Sequence, residues 1–228
     1  IPTLKYEDFL KYHEEYYHPS NSYIYIYGDM DVNERLEYLD REYLSDFDVS
    51  DVDIHANIER QAAFDKPVYE TKPYAITEDE SLEDNTYLSY NAVIGTSVDA
   101  KLYLAFQILD YALVMTPGAP VKQALLDAGI STDVYSSYET SLYQPVYSIV
   151  AKNSNSKEQD RFVSVINDTL EKLVKDGINE RTIEAGINYY EFKYREADYG
   201  PYPKGLMYYL TMMDSWLYDE TKPFIHIE

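Results

Sequence analysis

The order of strand-type and helix-type segments constrains this fold more than any other sequence feature. Strand-type segments come as neighbouring pairs, and pairs of helix-type segments lie between them. The predicted strand pairs cover residues 68–76 with 86–94 and residues 132–138 with 143–151. Strands that follow each other closely pair antiparallel, and helices then cover the apolar face of the sheet. We therefore predict an α/β (α+β) fold, a two-layer sandwich with a mostly antiparallel mixed sheet and helices on one face.

The helix-type segments indicate where the interior lies. Residues 99–115 are apolar nearly all round, which predicts the most buried helix of the domain. Pro117 and Gly118 end this helix, and Pro120 begins a second one that stops at Gly129. The other predicted helices cover residues 4–17, 31–44 with Asp31 as its cap, 156–177 with a Ser156-x-x-Gln159 capping box, 179–194 with Asn179 as its cap, and 206–218.

Two further segments have clear local character. Residues 23–27 alternate Tyr and Ile, which predicts a strand that ends at Gly28. Residues 45–66 are polar and acidic, which predicts a connection. Tyrosine is abundant, with 27 residues among 228. This abundance fits either an adaptable peptide-binding surface or ordinary half-buried packing, and we favour the packing.

The charge balance and the absence of cysteine exclude several classes of function. The chain has 19 Lys and Arg against 41 Asp and Glu, a net charge of −22, which repels nucleic acid and anionic lipid. The sequence shows no run of about 18 consecutive apolar residues. We expect a soluble cytoplasmic chain with no nucleic-acid or membrane partner. Without cysteine there is no disulfide, thiolate catalyst or zinc finger, although this leaves the compartment open.

One short motif resembles a zinc site but has the wrong spacing. His13 and His18 flank two glutamates, whereas a zinc helix of the His-Glu-x-x-His type needs histidines four residues apart. Five residues on a helix turn through about 500°, so the two rings would lie about 140° apart. The inverted His-x-x-Glu-His motif is also absent from the sequence. We therefore predict no zinc ligand in this segment.

Other candidate motifs are also incomplete. The ladder from Asp46 resembles a calcium loop, but its sixth position is Asp51 instead of glycine and its twelfth is Asn57 instead of glutamate. Ser154 and Lys157 match Ser-x-x-Lys without the partner motifs, and helix capping explains them better. No Gly-x-Ser-x-Gly elbow presents a nucleophile. We accordingly predict no catalytic and no metal-binding residue in this chain.

Three motifs together resemble one peptidase family. The first is Tyr12-His13-x-x-Tyr16-Tyr17-His18-Pro19-Ser20-Asn21, followed by an apolar segment and Gly28-Asp29. The second is residues 117–130, a helix that ends in glycine before the segment containing Tyr135-Ser136-Ser137, and the third is residues 204–219 with Trp216. These motifs resemble the pitrilysin or insulinase-like zinc metallopeptidases (inverzincins), in particular the presequence-protease subfamily.

The resemblance implies a position within a larger protein. It implies the second, non-catalytic domain of the N-terminal half of a clamshell peptidase, with α/β domains of the LuxS and processing-peptidase type. Residues 1–200 would form this domain, with 1–18 as the helix by which the chain enters, and 201–228 would be a helical segment leading to the next domain. The partners would be peptide substrates, an upstream catalytic domain and the downstream half of the same chain. Zinc is implied for the parent enzyme only, and an opening at Ile1 fits an excised piece.

The resemblance also implies a peptide-binding role. In relatives, the second domain lines the chamber and holds a peptide by adding it as a strand to a sheet edge. The matching positions in this chain are Gly118, Ala119, Val134, Tyr135, Ser136, Ser137 and Tyr138. The start of the helix after Gly118 would offer N–H groups to an anion. Ser136 and Ser137 stand where relatives have glycines.

Three functions remain open from the sequence. The first is a non-catalytic domain of a zinc-dependent endopeptidase that degrades unstructured peptides, forming part of the substrate chamber and packing against the catalytic domain. The second is a stand-alone peptide-binding or structural subunit of a processing-peptidase-like assembly without catalysis. The third is an independent hydrolase with an unrecognised catalytic group. We favour the first.

Overall fold

The computed structural model describes residues 3–49 and 58–227. The chain divides into two compact units, one within Ile1–Glu59 and the other within Arg60–Glu228. Ser50, Asp51 and Asn57 of the ladder that resembles a calcium loop lie outside the described residues.

The first unit consists of two short helices and their connections. Helix α1 covers Tyr6–Tyr16 and helix α2 covers Val32–Leu39, as the sequence predicts. The Asp31 carboxylate accepts hydrogen bonds from the backbone N–H groups of Asn33 and Glu34, which confirms it as the cap of α2. A 3₁₀ turn at Pro19–Asn21 and a π-type turn at Asp40–Leu44 follow the respective helices.

The predicted strand at residues 23–27 is wrong for the described part of the chain. The structure leaves this segment outside the described sheet, although its sequence has strong β propensity. A strand is defined by its ladder to another strand, and propensity alone does not supply that ladder.

A three-stranded antiparallel sheet organises the second unit. Strands β1, β2 and β3 cover Thr86–Val93, Asp133–Glu139 and Val146–Ser154. Their order in the sheet is β1-β3-β2, so β3 is central and pairs antiparallel with both neighbours. This arrangement confirms the α/β fold with antiparallel pairing.

The predicted strand at residues 68–76 is wrong. No strand forms there, and nearly every side chain of this segment is exposed, including Val68 and Tyr74. Because neither face of the segment buries apolar surface, strand formation would gain little packing energy.

Five helices complete the second unit. Helices α3, α4, α5, α6 and α7 cover Ala100–Asp110, Pro120–Asp127, Gln159–Asp176, Glu180–Glu196 and Lys204–Trp216. The apolar face of the sheet packs into a shared core with α3, α4 and α5. The core joins Val134 and Ile149 of the sheet to Leu125 of α4 and to Phe162 and Ile166 of α5. All five side chains are nearly inaccessible to solvent.

The start of α5 differs from the prediction. Ser156 lies in a 3₁₀ turn, Ser156–Glu158, and the residue that precedes the helix is Glu158, which makes no side-chain cap bond. The capping box at Ser156-x-x-Gln159 is therefore wrong, because the box requires its serine at the cap position itself. Asn179 does cap α6, since its side-chain oxygen accepts from the Arg181 N–H.

The segment Ala100–Asp127 is long and apolar enough to cross a membrane, but one such segment is weak evidence for a span. The structure interrupts it between Met115 and Pro120, where Thr116 is extended and Gly118 has a φ of +73°. Leu113 and Val114, in the π-type turn that follows α3, pack in the core beneath the sheet. The segment thus forms two helices of an α/β core.

The C-terminal residues pack on the second unit. The hydroxyls of Tyr103 and Thr140 donate to the Asp214 carboxylate of α7 at 3.0 and 3.1 Å. The His226 ring stacks on Tyr103 at a centroid distance of 3.8 Å, and burial lowers the pKa of His226. Residues 204–227 are therefore held by buried polar contacts, while the domain boundary at residue 200 stays a prediction.

Candidate functional site

Strand β2 forms an edge of the sheet among the described residues. It pairs with β3 on one side only, with Val134 opposite Ala151 and Ser136 opposite Ile149. On the other side of an edge strand, alternate backbone N–H and C=O groups point away from the sheet. These groups can pair with an extended peptide regardless of its side chains.

Side chains of β2 alternate between the two faces of the sheet. Val134, Ser136 and Tyr138 point towards the helices, whereas Tyr135 and Ser137 lie on the more exposed face. The five strand residues predicted as peptide contacts therefore lie along one edge, but they present two different surfaces. Whether they bind a peptide stays a prediction.

A pocket of about 270 Å³ lies beside the first half of β2. Its lining residues come from the turn after α3, from α4 and from β2, and they are Val114, Met115, Lys122, Val134, Tyr135 and Ser136. The pocket therefore joins the sheet edge to the start of α4. Its volume lies just below the range of about 300–1,000 Å³ typical of small-molecule sites, which suits a single large side chain.

Lys122 is the only cationic residue among those that line the pocket. The side chain is half-buried and forms no ion pair with a carboxylate of residues 3–49 or 58–227. Among the described residues, the cations that do form ion pairs are Arg41, Lys72, Arg161, Arg195 and Lys222. A half-buried cation beside an apolar pocket attracts an anionic group that carries apolar surface.

The start of α4 offers fewer donors than its sequence indicates. Gly118 adopts a φ of +73°, which favours glycine, and Ala119 is buried and precedes the helix. The Ala119 N–H donates to the Thr116 carbonyl at 3.0 Å, so it is already engaged. By helix geometry, the donors without an intrahelical acceptor are those of Val121 and Lys122.

A buried carboxyl group lies beneath the strand. Asp110 of α3 is 7% exposed and accepts a 2.9 Å hydrogen bond from the Tyr147 hydroxyl of β3. Burial raises the pKa of Asp110, and the neighbouring hydroxyls of Ser136 and Tyr147 partly offset that rise. The group thus links the helix layer to the two strands nearest the pocket.

Tyr138 lies near the C-terminal end of β2. Burial, with a smaller contribution from the Asp99 carboxylate, raises the pKa of Tyr138 to about 12. Its ring contacts the rings of Tyr103, Phe106 and Tyr147. Tyr138 therefore belongs to an aromatic cluster that supports the strand from the helix side, away from the pocket.

The three histidines that the structure describes do not assemble a metal site. His13 stacks on Tyr17 at 4.5 Å, His18 accepts a hydrogen bond from the Ser20 N–H, and His226 bonds the Ser97 carbonyl. Across the described ranges, no three His, Asp or Glu side chains are grouped so that they could hold a metal ion. These residues therefore do not fit a zinc ion.

Comparison with known sequences decides the family. Residues 3–190 match the family described as the peptidase M16 inactive domain. The chain belongs to the M16 peptidase family. Within that family it corresponds to the domain type described as inactive, which agrees with the recognition of a non-catalytic domain from its motifs.

Relatives of this M16 domain are much longer proteins. Protein HypA of Clostridium perfringens is 44% identical over the whole chain, which covers 23% of that protein. Presequence protease 1, chloroplastic/mitochondrial, of Arabidopsis thaliana is 34% identical over 96% of the chain, which covers 20% of that protein. The M16 domain thus spans about a fifth of the length of these relatives.

A solved structure supports the fold. The inactive peptidase domain of a proposed zinc protease from Bordetella parapertussis superposes with a TM-score of 0.50. The superposition covers 61% of this chain and 76% of that one at 13% sequence identity. At this identity the likeness shows a shared fold.

Sequence reasoning missed three pocket residues, Val114, Met115 and Lys122. The first two end an apolar segment that was interpreted as core. Lys122 lies within the second family motif, and its signal is that it is the only cation of residues 117–130 in an acidic chain.

Proposed function

We propose that this chain is the non-catalytic domain of a zinc-dependent endopeptidase that degrades unstructured peptides. In that enzyme it forms part of the substrate chamber and packs against the catalytic domain. The free edge of β2 carries this proposal, because an open strand edge captures extended chains through main-chain hydrogen bonds. Membership of the M16 family and the names of its relatives support the peptidase context.

The division of labour between this domain and the rest of the protein can be tested directly. The intact gene product should hydrolyse an unstructured peptide, and a zinc chelator should abolish this activity. The 228-residue chain alone should bind the same peptide without cleaving it, because residues 3–49 and 58–227 do not assemble a zinc site. Cleavage and binding are followed by mass spectrometry and by fluorescence anisotropy.

Two outcomes would contradict this proposal. Chelator-resistant hydrolysis by the 228-residue chain would indicate an independent hydrolase. Peptide binding by a gene product that never cleaves would indicate a peptide-binding or structural subunit.

Strand addition predicts a specific dependence on the peptide backbone. In an extended peptide, alternate N–H groups point to the same side, so only one alternate set can face β2. Methylation of the nitrogens in that set should weaken binding to the 228-residue chain at least tenfold, since each lost hydrogen bond costs about 0.5–1.5 kcal/mol. Methylation of the other set serves as the matched control and should leave affinity nearly unchanged. Equal effects of the two sets in anisotropy titrations would exclude strand addition.

A further inference from the structure

The pocket beside β2 and the cation at its rim have no role in backbone pairing. Main-chain hydrogen bonds hold any extended peptide, so they give affinity without choosing a sequence. Side-chain pockets along an added strand are what provides selectivity in this mode of binding. The pocket at Val134 and Tyr135 is placed to do this, since these residues belong to the edge strand itself.

The lining of the pocket defines the chemistry it accepts. Met115, which is 48% exposed, provides the accessible apolar wall at the rim, and the buried Val114 and Val134 lie behind it. Methionine adapts its shape to different apolar groups, so the pocket accepts an aliphatic or aromatic side chain without strict shape selection.

Lys122 adds a requirement for charge. The residue is half-buried, and no carboxylate of the described residues forms an ion pair with its ammonium group. Partial burial weakens the screening of a charge by water, so an anion placed here interacts more strongly than at an open surface. The N–H groups of Val121 and Lys122 at the start of α4 add donors beside the ammonium group.

We propose that this pocket selects peptides in which an apolar side chain lies next to a carboxylate, with Lys122 binding that carboxylate. The carboxylate is either the peptide's C-terminal group or an adjacent Asp or Glu side chain. This inference rests on the proposed function, because it assumes that a peptide lies along β2. Lys122 is thus a specificity-determining residue for peptide capture.

A set of four labelled peptides tests this selection on the 228-residue chain. All share one extended sequence that ends in either Leu-Glu or Leu-Gln, and each is made with a free or an amidated C-terminus. Fluorescence anisotropy gives the four dissociation constants. The wild-type chain should bind the peptide with the relevant carboxylate about tenfold more tightly than the neutral peptide, since hydrogen bonds to charged groups contribute about 1.5–3 kcal/mol. The comparison of Glu with a free C-terminus identifies which carboxylate is bound.

Three variants assign this preference to Lys122. Lys122→Gln should remove the tenfold preference. Lys122→Arg keeps the charge and should retain the preference. Lys172→Gln makes the same charge change at an exposed position of α5 and should retain it as well.

The outcomes separate this inference from the proposed function. If all four peptides bind the wild-type chain equally, strand capture stands and selection by Lys122 is wrong. The same conclusion follows if Lys122→Gln and Lys172→Gln reduce the preference to the same extent. If none of the peptides binds, both the selection and the peptide-binding function are wrong.

Discussion

Replacing Ile166 with alanine should destabilise the second unit by about 2–5 kcal/mol, the range for truncating a fully buried aliphatic side chain. Ile166 has no exposed surface and packs from α5 into the core beneath the sheet. The substitution removes apolar contacts and leaves a cavity that its neighbours cannot fill completely. Urea unfolding followed by far-UV circular dichroism measures the loss as a lower midpoint.

Val174 provides the control on the same helix. It is 89% exposed near the end of α5, so Val174→Ala should change the free energy of unfolding by less than about 0.5 kcal/mol. Any small change should be stabilising, because alanine has the higher helix propensity. Similar midpoints for the two variants would contradict the placement of the core.

Replacing Asp110 with asparagine should stabilise the chain at neutral pH. Burial raises the pKa of this carboxyl group above its ordinary value, which means that the charged form is disfavoured in the folded state. Asparagine removes the buried charge but keeps an oxygen that accepts from the Tyr147 hydroxyl.

The sign of the pH dependence follows from the direction of the shift. Because the folded pKa lies above the unfolded value, the folded state holds this proton more tightly. Asp110 therefore imposes no penalty below its unfolded pKa, and a penalty develops as the pH rises through its folded pKa. The groups that act on this carboxyl are the Tyr147 and Ser136 hydroxyls. Burial raises the pKa of Tyr147 on β3 and of Tyr190 on α6, and the Asp110 charge adds a smaller contribution to both.

The experiment compares wild type and Asp110→Asn in urea unfolding from pH 4 to pH 8. The advantage of the variant should be larger at neutral pH and should shrink as the pH falls, because the folded wild type takes up a proton at Asp110 more readily than the unfolded chain does. Asp168→Asn makes the same charge change on the exposed face of α5 and should show no such trend. A constant difference across this pH range would mean that Asp110 is not the titrating group.

Local chemistry explains which parts of the fold were predictable. Asp31 and Asn179 cap their helices as predicted because a cap bond joins residues only two or three positions apart. The Ser156 box failed although its pattern is local, because the chain adds a 3₁₀ turn before α5. The capping pattern in the sequence does not predict such an added turn.

Strand pairing was harder to predict because partners are distant in sequence. The pattern at 68–76 suggested a neighbour for residues 86–94, whereas the actual neighbour of β1 is β3, some 60 residues further along the chain. The same difficulty applies to the candidate site. Family resemblance directed attention to β2, but its position at the edge depends on the strand order, and the pocket depends on how α4 packs beside it.

The residues at the two ends of β2 affect whether this open edge can pair with the same strand of a second copy. Asp133 and Glu139 are both exposed, and they begin and end the strand. If two copies paired edge to edge antiparallel about Ser136, Asp133 of each would lie opposite Glu139 of the other. Like charges directly opposite each other destabilise a strand pair, and natural proteins use charged edges to prevent aggregation. The acidic residues at both ends of β2 therefore disfavour pairing between two copies of this strand, and the edge stays open to other chains.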